Sequence, residues 1–265
     1  KLAVLSLLIL VILTVSAILA PVLTPYDPNK QVLADKLLFP SSEHLFGTDE
    51  FGRDIFARLV HGSRVSLVVG LISVSISLLM GGALGAIAGY YGGRVDNVIM
   101  RIMDIFLAVP SILLAMTIVA ALGTSLINVM LAIGVSGIPG YARIVRASVM
   151  SIKDQEFVEA SRAIGAKSPT TIFREILPNC LAPIIVQATL SVAGAILSTA
   201  SLSFIGLGVQ PPSPEWGAML SGGRNYLRDA LHLTLFPGLA IVITILALNL
   251  LGDGLRDALD PRLKQ

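Results

Sequence analysis

The chain has 265 residues, of which 54% are hydrophobic and 14% are charged, and its mean hydropathy is +0.83. A soluble domain carries about a quarter charged residues, so this composition predicts a protein that is dissolved in lipid. The net charge of +2 is too small to indicate a nucleic-acid partner, and the single cysteine excludes an intrachain disulfide and a thiolate metal cluster. We therefore expect neither a metal nor a cofactor in this chain.

Recurring apolar runs predict an all-α membrane protein with six transmembrane helices in a single domain, residues 1–265. The expected spans are residues 2–23, 65–88, 98–122, 126–145, 179–205 and 233–251. About 20 residues of helix cross the roughly 30 Å of bilayer hydrocarbon, and each run supplies that length. The first run is too long for a signal peptide and no small-residue cleavage site follows it, so we expect an uncleaved span.

Between the first two expected spans lies a polar segment that contains several prolines, residues 24–63. Thr48 or Asp49 can cap an amphipathic helix at about residues 50–61, which we expect to lie flat on the outer surface of the membrane. The polar face of this helix would carry Arg53, Asp54, Arg58 and His61. An amphipathic connector without a role in recognition is the alternative interpretation.

Single residues modify the third and fourth expected spans. We interpret Asp104 as the partner of Arg101 in a local ion pair at the membrane edge, rather than as a functional intramembrane carboxylate. Pro110 is expected to kink the third span, and Pro139 with its glycine neighbours is expected to bend the fourth.

Residues 151–178 form the only sizeable polar island in the second half of the chain. Helix formers dominate residues 155–164, and one face of that helix carries Phe157, Ala160 and Ile164. Gly165 is expected to end the helix, because glycine adopts the left-handed conformation without steric strain. Thr170 is expected to cap a second helical segment, which runs toward Pro178.

Uncharged polar residues stand out in the fifth expected span. Gln187, Ser191 and Ser198 could line a water-filled substrate path, or they could bond to neighbouring helices. The sequence favours neither role over the other.

The remaining segments and the charge distribution predict the orientation. In the loop of residues 206–232, expected to be extracytoplasmic, Trp216 and Tyr226 would lie at the level of the lipid headgroups. Residues 252–265 would form a cytoplasmic tail. If the polar island is inside the cell, more of the 19 Lys and Arg residues lie inside than outside, as the positive-inside rule requires. Both termini are then cytoplasmic.

Six residues of the polar island occur at a long, fixed spacing: Glu159, Ala160, Ser161, Gly165, Leu177 and Pro178. They resemble the EAA loop of ABC importer permeases, although Ser161 replaces an alanine of that pattern and Glu175 replaces an isoleucine. Three further strings resemble the C-type permease subunit of dipeptide and oligopeptide importers. These are GTD and GRD within residues 47–54, QPPSPEWG at residues 210–217 and GDGLRDALDP at residues 252–261.

The resemblance implies a type I ABC importer permease fold in a multi-pass protein of the bacterial plasma (inner) membrane. The polar island would be a coupling helix that inserts into a groove on an ATP-binding subunit. The residues that would make this contact are Glu156, Glu159, Ala160, Ser161, Arg162, Gly165, Leu177 and Pro178. The implied partners are a second homologous permease, two ATP-binding subunits and an extracytoplasmic substrate-binding protein.

The chain is expected to be a transport subunit rather than an enzyme. It contains no GxxxxGK[ST] loop, so ATP and Mg would bind to the partner ATPase subunits. Peptides are the expected cargo, and related permeases that import nickel complexes or glutathione provide the alternative. An ion-coupled secondary transporter is less favoured because we find neither matching halves nor midplane acids. A membrane scaffold would leave the EAA spacing unexplained.

Overall fold

A computed structural model describes residues 1–259, and every regular element within that range is helical. The first helices are α1 (Leu2–Ile18), α2 (Ala20–Leu23), α3 (Ile55–Tyr91), α4 (Gly93–Leu107), α5 (Ser111–Leu122) and α6 (Leu126–Ile152). The polar island contains α7 (Glu156–Ala163), α8 (Ser168–Thr170), a π-helical turn (Thr171–Ile176) and α9 (Leu177–Asn179). The chain continues with α10 (Leu181–Phe204), α11 (Trp216–Gly223) and α12 (His232–Leu259).

Several helices are suited to a lipid environment. Within residues 1–259, α3, α6, α10 and α12 are long and apolar enough to cross a membrane, and α4 with α5 makes a fifth candidate if the pair counts as one span. α1 has 17 residues, which is about 26 Å of helix, and α2 continues its apolar run. The predicted all-α membrane class is confirmed. The six spans and the side on which the termini lie stay predictions.

The expected third span is a pair of helices rather than one kinked helix. α4 and α5 meet at 83°. Pro110 disfavours helical backbone at the preceding residue, so α4 ends before it and α5 starts directly after it at Ser111.

The ion pairs of α4 reach across to α6. The Arg143 guanidinium donates to Asp104 at 2.7 Å, so the predicted pair of Asp104 with Arg101 is wrong. Arg146 donates to both carboxylate oxygens of Asp96, at 2.5 and 2.6 Å. The local interpretation failed because it considered only neighbours on one helix, whereas α6 packs against α4.

The most extensive helix contact in the described part of the chain joins α3 to α6. At Gly85 of α3 the two backbones approach so closely that a side chain would collide with the carbonyl of Ala142. Small residues permit such an approach in a membrane, where no hydrophobic force drives helices together. α6 passes through Pro139 as one continuous helix and extends to Ile152.

The predicted separate helix at residues 50–61 is wrong, because its second half is the start of α3. α3 has 37 residues, about 55 Å of helix, and therefore extends well beyond a bilayer core of roughly 30 Å. Its cap is Asp54, whose carboxylate accepts from the Ala57 N–H at 2.6 Å, rather than Thr48 or Asp49.

Residues 24–54 and 206–231 pack together over the start of α3, and we call them the loop lobe. Trp216 is buried there and its ring N–H donates to the Leu59 carbonyl at 3.0 Å, so its predicted role as a headgroup anchor is wrong. Tyr226 packs against the same apolar cluster. The segment was expected to be a loop, yet it contains α11, which Glu215 caps by accepting from two backbone N–H groups.

The charges expected on a solvated helix face are buried in the loop lobe. Arg53 donates to Asp49 at 2.6 Å, and His44 lies 2.9 Å from Asp54. Arg58 donates to the Pro28 carbonyl at 2.8 Å and lies 3.5 Å from Asp49. The exposed polar face is therefore a second error of the sequence prediction, because these charges find partners inside the lobe.

The end of the chain differs from the predicted tail. α12 continues beyond the expected boundary near residue 251 as far as Leu259, so the first part of residues 252–265 is helical. Residues 260–265 lie outside the described part of the chain.

Candidate functional site

The polar island folds into a short, sharply ended helix. α7 runs from Glu156 to Ala163, which confirms the predicted helix at residues 155–164 to within one residue at each end. Glu156 and Glu159 lie in its first turn, where negative charge favours the partly positive helix end. Three residues separate α7 from the end of α6, so the two helices are tightly connected.

Gly165 ends α7, as the sequence predicted. Its φ angle is +85°, in the left-handed region that glycine adopts without strain. Its N–H donates to the Arg162 carbonyl at 3.0 Å, and the Ala166 N–H donates to the Ser161 carbonyl at 3.1 Å. These two bonds form a Schellman motif, which satisfies carbonyls at the helix end.

The two faces of α7 have different environments. Val158 is 0% exposed and packs in a cluster with Val145 and Val149 of α6 and with Ile172 and Ile176 of the π-helical turn. Ser161 is buried on the same inner side. The face predicted from Phe157, Ala160 and Ile164 points away from the chain, and Ile164 is 86% exposed.

An aromatic contact joins α7 to the end of α3. The Arg162 guanidinium lies over the Tyr90 ring, 5.0 Å from its centroid. α7 is thereby held by α6 through Val158 and by α3 through Arg162. Within residues 1–259, Glu156 and Glu159 form no ion pair and are exposed.

The second half of the island is more regular than expected. Lys167 is the cap of α8 and Pro169 occupies its first turn, so the prediction of Thr170 as cap is wrong. Pro178 has no N–H to donate to the carbonyl four residues earlier, and the wide π-helical turn lies directly before it. Leu177 is half-buried against the α7 cluster, whereas Pro178 is exposed.

Cys180 closes this cluster. Its side chain is buried among the apolar residues of that cluster. A buried free cysteine behaves as a small hydrophobic residue, so Cys180 serves in packing.

A cavity of about 360 Å³ lies between α3, α5, α6 and α10, and we call it the polar cavity because serine, tyrosine and glutamine side chains interrupt its mainly apolar lining. Gln187, Ser191 and Ser198, which the sequence suggested as substrate-path residues, all line it. The Gln187 amide donates to the Ser191 hydroxyl at 3.1 Å. The structure therefore brings these three residues together, and their contact with a substrate stays a prediction.

Sequence inspection missed the other polar residues of this cavity, among them Ser73 of α3 and Tyr141 of α6. Tyr141 was hidden because an aromatic residue inside an apolar span normally packs against its neighbours. Ser73 is one of many small residues of its span, and such residues usually serve helix packing. Only the side-by-side placement of α3, α6 and α10 shows that both face the same space.

Two protein-family models match the chain. The model described as binding-protein-dependent transport system inner membrane component matches residues 81–265. The model of the N-terminal TM domain of oligopeptide transport permease C matches residues 1–40.

Curated relatives match over nearly the whole chain. The dipeptide transport system permease protein DppC of Alkalihalophilus pseudofirmus is 51% identical over 100% of this chain and 87% of that protein. The glutathione transport system permease protein GsiD of Pectobacterium atrosepticum is 46% identical over 97% of this chain and 86% of that protein.

A solved structure shares the architecture. The inward-facing MetNI methionine ABC transporter matches with a TM-score of 0.62 and 20% sequence identity, over 77% of this chain and 96% of that chain. At this identity the likeness shows the fold alone, which is that of an ABC importer permease.

Proposed function

The chain belongs to the family of binding-protein-dependent transport system inner membrane components, and we propose that it forms half of the path through which an ATP-driven importer takes up di- and oligopeptides. Its relatives are permease subunits of transport systems. This chain is likewise a transport subunit and not an enzyme. The other half of the path would come from a second homologous permease. Two ATP-binding subunits, which bind ATP and Mg, and an extracytoplasmic substrate-binding protein would complete the machine.

We place the protein in the bacterial plasma (inner) membrane with six spans and both termini in the cytoplasm. Its membrane location is supported by the apolar helices α3, α6, α10 and α12. The total of six is reached if the bent pair of α4 and α5 forms one crossing and α1 with α2 forms another. This arrangement puts the polar island on the same side as the ATP-binding subunits, and the loop lobe on the side of the substrate-binding protein.

The observation that carries the coupling role is the exposed apolar face of α7. A lone exposed isoleucine needs no explanation, but here Ile164, Phe157 and Ala160 share one face of a helix with Glu159 beside them. Helices that dock in a groove present anchors at this spacing. We assign this face, with Glu156, Arg162 and Gly165, to contact with an ATP-binding subunit.

The packing of α7 against its neighbours supports the transmission of its movement to the membrane helices. Val158 packs against α6, so a displacement of α7 would move the end of α6 with it. α6 is in turn packed along α3, and both helices line the polar cavity. Closure of the ATP-binding subunits would thus change the cavity and alternate its access between the two sides of the membrane.

Peptides and glutathione are both supported as cargo by the names of relatives. One relative is named as a dipeptide permease subunit and another as a glutathione permease subunit, at similar identities. Nickel complexes stay an alternative cargo class. Family membership opposes an ion-coupled secondary transporter and a scaffold.

Reconstitution tests the proposal. The complex is purified with its cognate second permease and ATPase subunits, and ATP-dependent uptake of radiolabelled dialanine into proteoliposomes is measured with the receptor present. We expect Ile164→Glu to abolish receptor-stimulated uptake, because the charge would enter the apolar docking face, whereas Ile164→Leu retains it. Equal uptake by both variants would reject the coupling face. Receptor-dependent uptake of glutathione but not of dialanine would reassign the cargo.

A further inference from the structure

The polar cavity contains two buried hydroxyl groups that the fold leaves unsatisfied. Tyr141 is 4% exposed and Ser73 is 1% exposed, and both line the cavity. Neither hydroxyl has a hydrogen-bond partner within residues 1–259. Ser191 lies beside the Tyr141 hydroxyl without completing a hydrogen bond of normal geometry.

Such groups are informative because buried hydroxyls in native proteins nearly always have partners. Other serines of α3 illustrate the usual outcome. The Ser75 hydroxyl donates to the Leu71 carbonyl of its own helix at 2.8 Å, and the Ser77 hydroxyl donates to the Gly134 carbonyl of α6 at 2.6 Å. Ser73, which precedes both in the same helix, does neither. Where such a hydroxyl belongs to a residue that lines a cavity, a molecule in the cavity can supply the missing hydrogen bond.

The lining restricts the chemistry of that partner. No charged side chain is among the described residues that line the cavity. Hydroxyl groups both donate and accept hydrogen bonds, and the Gln187 amide, whose nitrogen is engaged with Ser191, offers its oxygen as an acceptor. The walls thus match a neutral group that carries one donor and one acceptor.

We propose that Tyr141, Ser73 and Gln187 form a binding subsite for the main-chain amide of a peptide in transit. This inference rests on the proposed function and names the part of the substrate that the permease contacts. A peptide N–H and C=O supply one donor and one acceptor, which can pair with the unsatisfied groups of the walls. Because the main-chain amide is common to all peptides, such a subsite accepts different side chains without selecting among them.

The three residues come from different helices, which links the subsite to the polar island. Ser73 lies on α3, Tyr141 on α6 and Gln187 on α10. α6 continues from Tyr141 to its end at Ile152, directly before α7. A movement of α7 would therefore change the spacing of the three groups, so the subsite is formed in one state of the transport cycle and opened in another.

The test compares Tyr141→Phe and Ser73→Ala with the matched controls Tyr91→Phe and Ser75→Ala in the complete reconstituted complex. Tyr91 is exposed and lies outside the cavity, as does Ser75. Receptor is supplied saturated with dialanine, and uptake and ATP hydrolysis are measured together. Loss of one hydrogen bond predicts about a threefold to tenfold fall in dialanine imported per ATP for each cavity variant. The controls are expected to match the wild type.

Two further measurements separate substrate contact from a structural role. Melting temperatures of Tyr141→Phe and Ser73→Ala should equal or exceed the wild-type value, because each change removes a buried hydroxyl without breaking a bond. With the N-methylated peptide alanyl-N-methylalanine, which lacks the amide N–H, the difference between wild type and cavity variants should shrink.

Three outcomes would overturn the subsite. Wild-type uptake per ATP in both cavity variants would mean that the hydroxyls bind water only. A fall in melting temperature that parallels the loss of uptake would show that the groups are structural. If the wild-type complex imports no dialanine while importing another receptor ligand, the proposed peptide cargo fails and the subsite fails with it. If the wild-type complex imports dialanine and the cavity variants import it equally well, the subsite is rejected while the proposed peptide cargo stands.

Discussion

The polar island and the loop lobe lie at opposite ends of α3, and the chain treats their charges in opposite ways. In the loop lobe, Arg53 and Asp49 turn inward, and they are buried beside Arg58 at the start of α3. In the polar island, Glu156 and Glu159 stay on the surface and the apolar Ile164 is exposed with them. Both segments have amphipathic, charged sequences next to an apolar span.

The difference shows how each region is completed. The buried charged groups at the loop lobe bond to one another and to backbone carbonyls of the same chain. Their hydrogen-bonding needs are therefore met without another subunit. α7 leaves an apolar face uncovered, although its inner face is packed as tightly as a protein core. We interpret the first region as a rigid platform and the second as a rigidly mounted docking element. Three predictions test this contrast.

The largest effect is expected in the loop lobe. Arg58→Met leaves Asp49 and two backbone carbonyls with one fewer buried partner and should lower the free energy of unfolding by roughly 3–5 kcal/mol. Thermal unfolding of the protein in lipid nanodiscs measures this. Arg64→Met on the same helix is the control, because Arg64 is exposed. Equal melting temperatures for the two variants would show that the buried charges do not stabilise the lobe.

The next effect separates the two faces of α7. Val158→Ala leaves a void in the cluster under the helix and should destabilise the protein by about 1–3 kcal/mol. Phe157→Ala, one residue away on the outer face, should leave stability nearly unchanged but weaken capture of the ATP-binding subunit by about 1 kcal/mol or more. Nanodisc melting and a binding titration with the purified ATP-binding subunit measure the two effects. If Phe157→Ala destabilises as much as Val158→Ala, the outer face is part of the core.

A modest effect on stability, with a large effect on function, is expected at Gly165. A β-branched residue at φ +85° is strained by about 1–2 kcal/mol, so Gly165→Val should unravel the Schellman motif and displace Ile164. The subunit should still enter the membrane, while ATP hydrolysis becomes uncoupled from uptake.

Asparagine tolerates the left-handed conformation, so Gly165→Asn should keep most of the coupling. Transport per ATP in proteoliposomes distinguishes the two variants. Unchanged transport by Gly165→Val would refute the assignment of this helix end to coupling.

Much of this protein follows from local sequence. Apolar runs of bilayer length determined the membrane class, because no soluble fold can cover that much apolar surface. The helix over residues 156–163 and its stop at Gly165 also follow locally, since helix propensity and the left-handed conformation of glycine act within a few residues. The spacing of the EAA residues identified the family that the comparisons confirm.

Other features depended on neighbours that are distant in sequence. Trp216 was expected at a headgroup and is buried because Leu59 accepts its N–H, 157 residues away. Asp104 was expected to bond to Arg101, but α6 brings Arg143 to it. The direction in which the charges of residues 49–58 point was likewise set by the packing of residues 24–54 against residues 206–231.

The division has a physical cause. Hydrophobic length, helix propensity and backbone conformation are properties of a short stretch of chain, so the sequence determined the class, the spans as candidates and α7. Partner choice for a charge or a hydroxyl depends on which helices lie side by side. Only the tertiary structure therefore decided that Arg58 is buried, that Ile164 faces outward, and that Ser73, Tyr141 and Gln187 meet in one cavity.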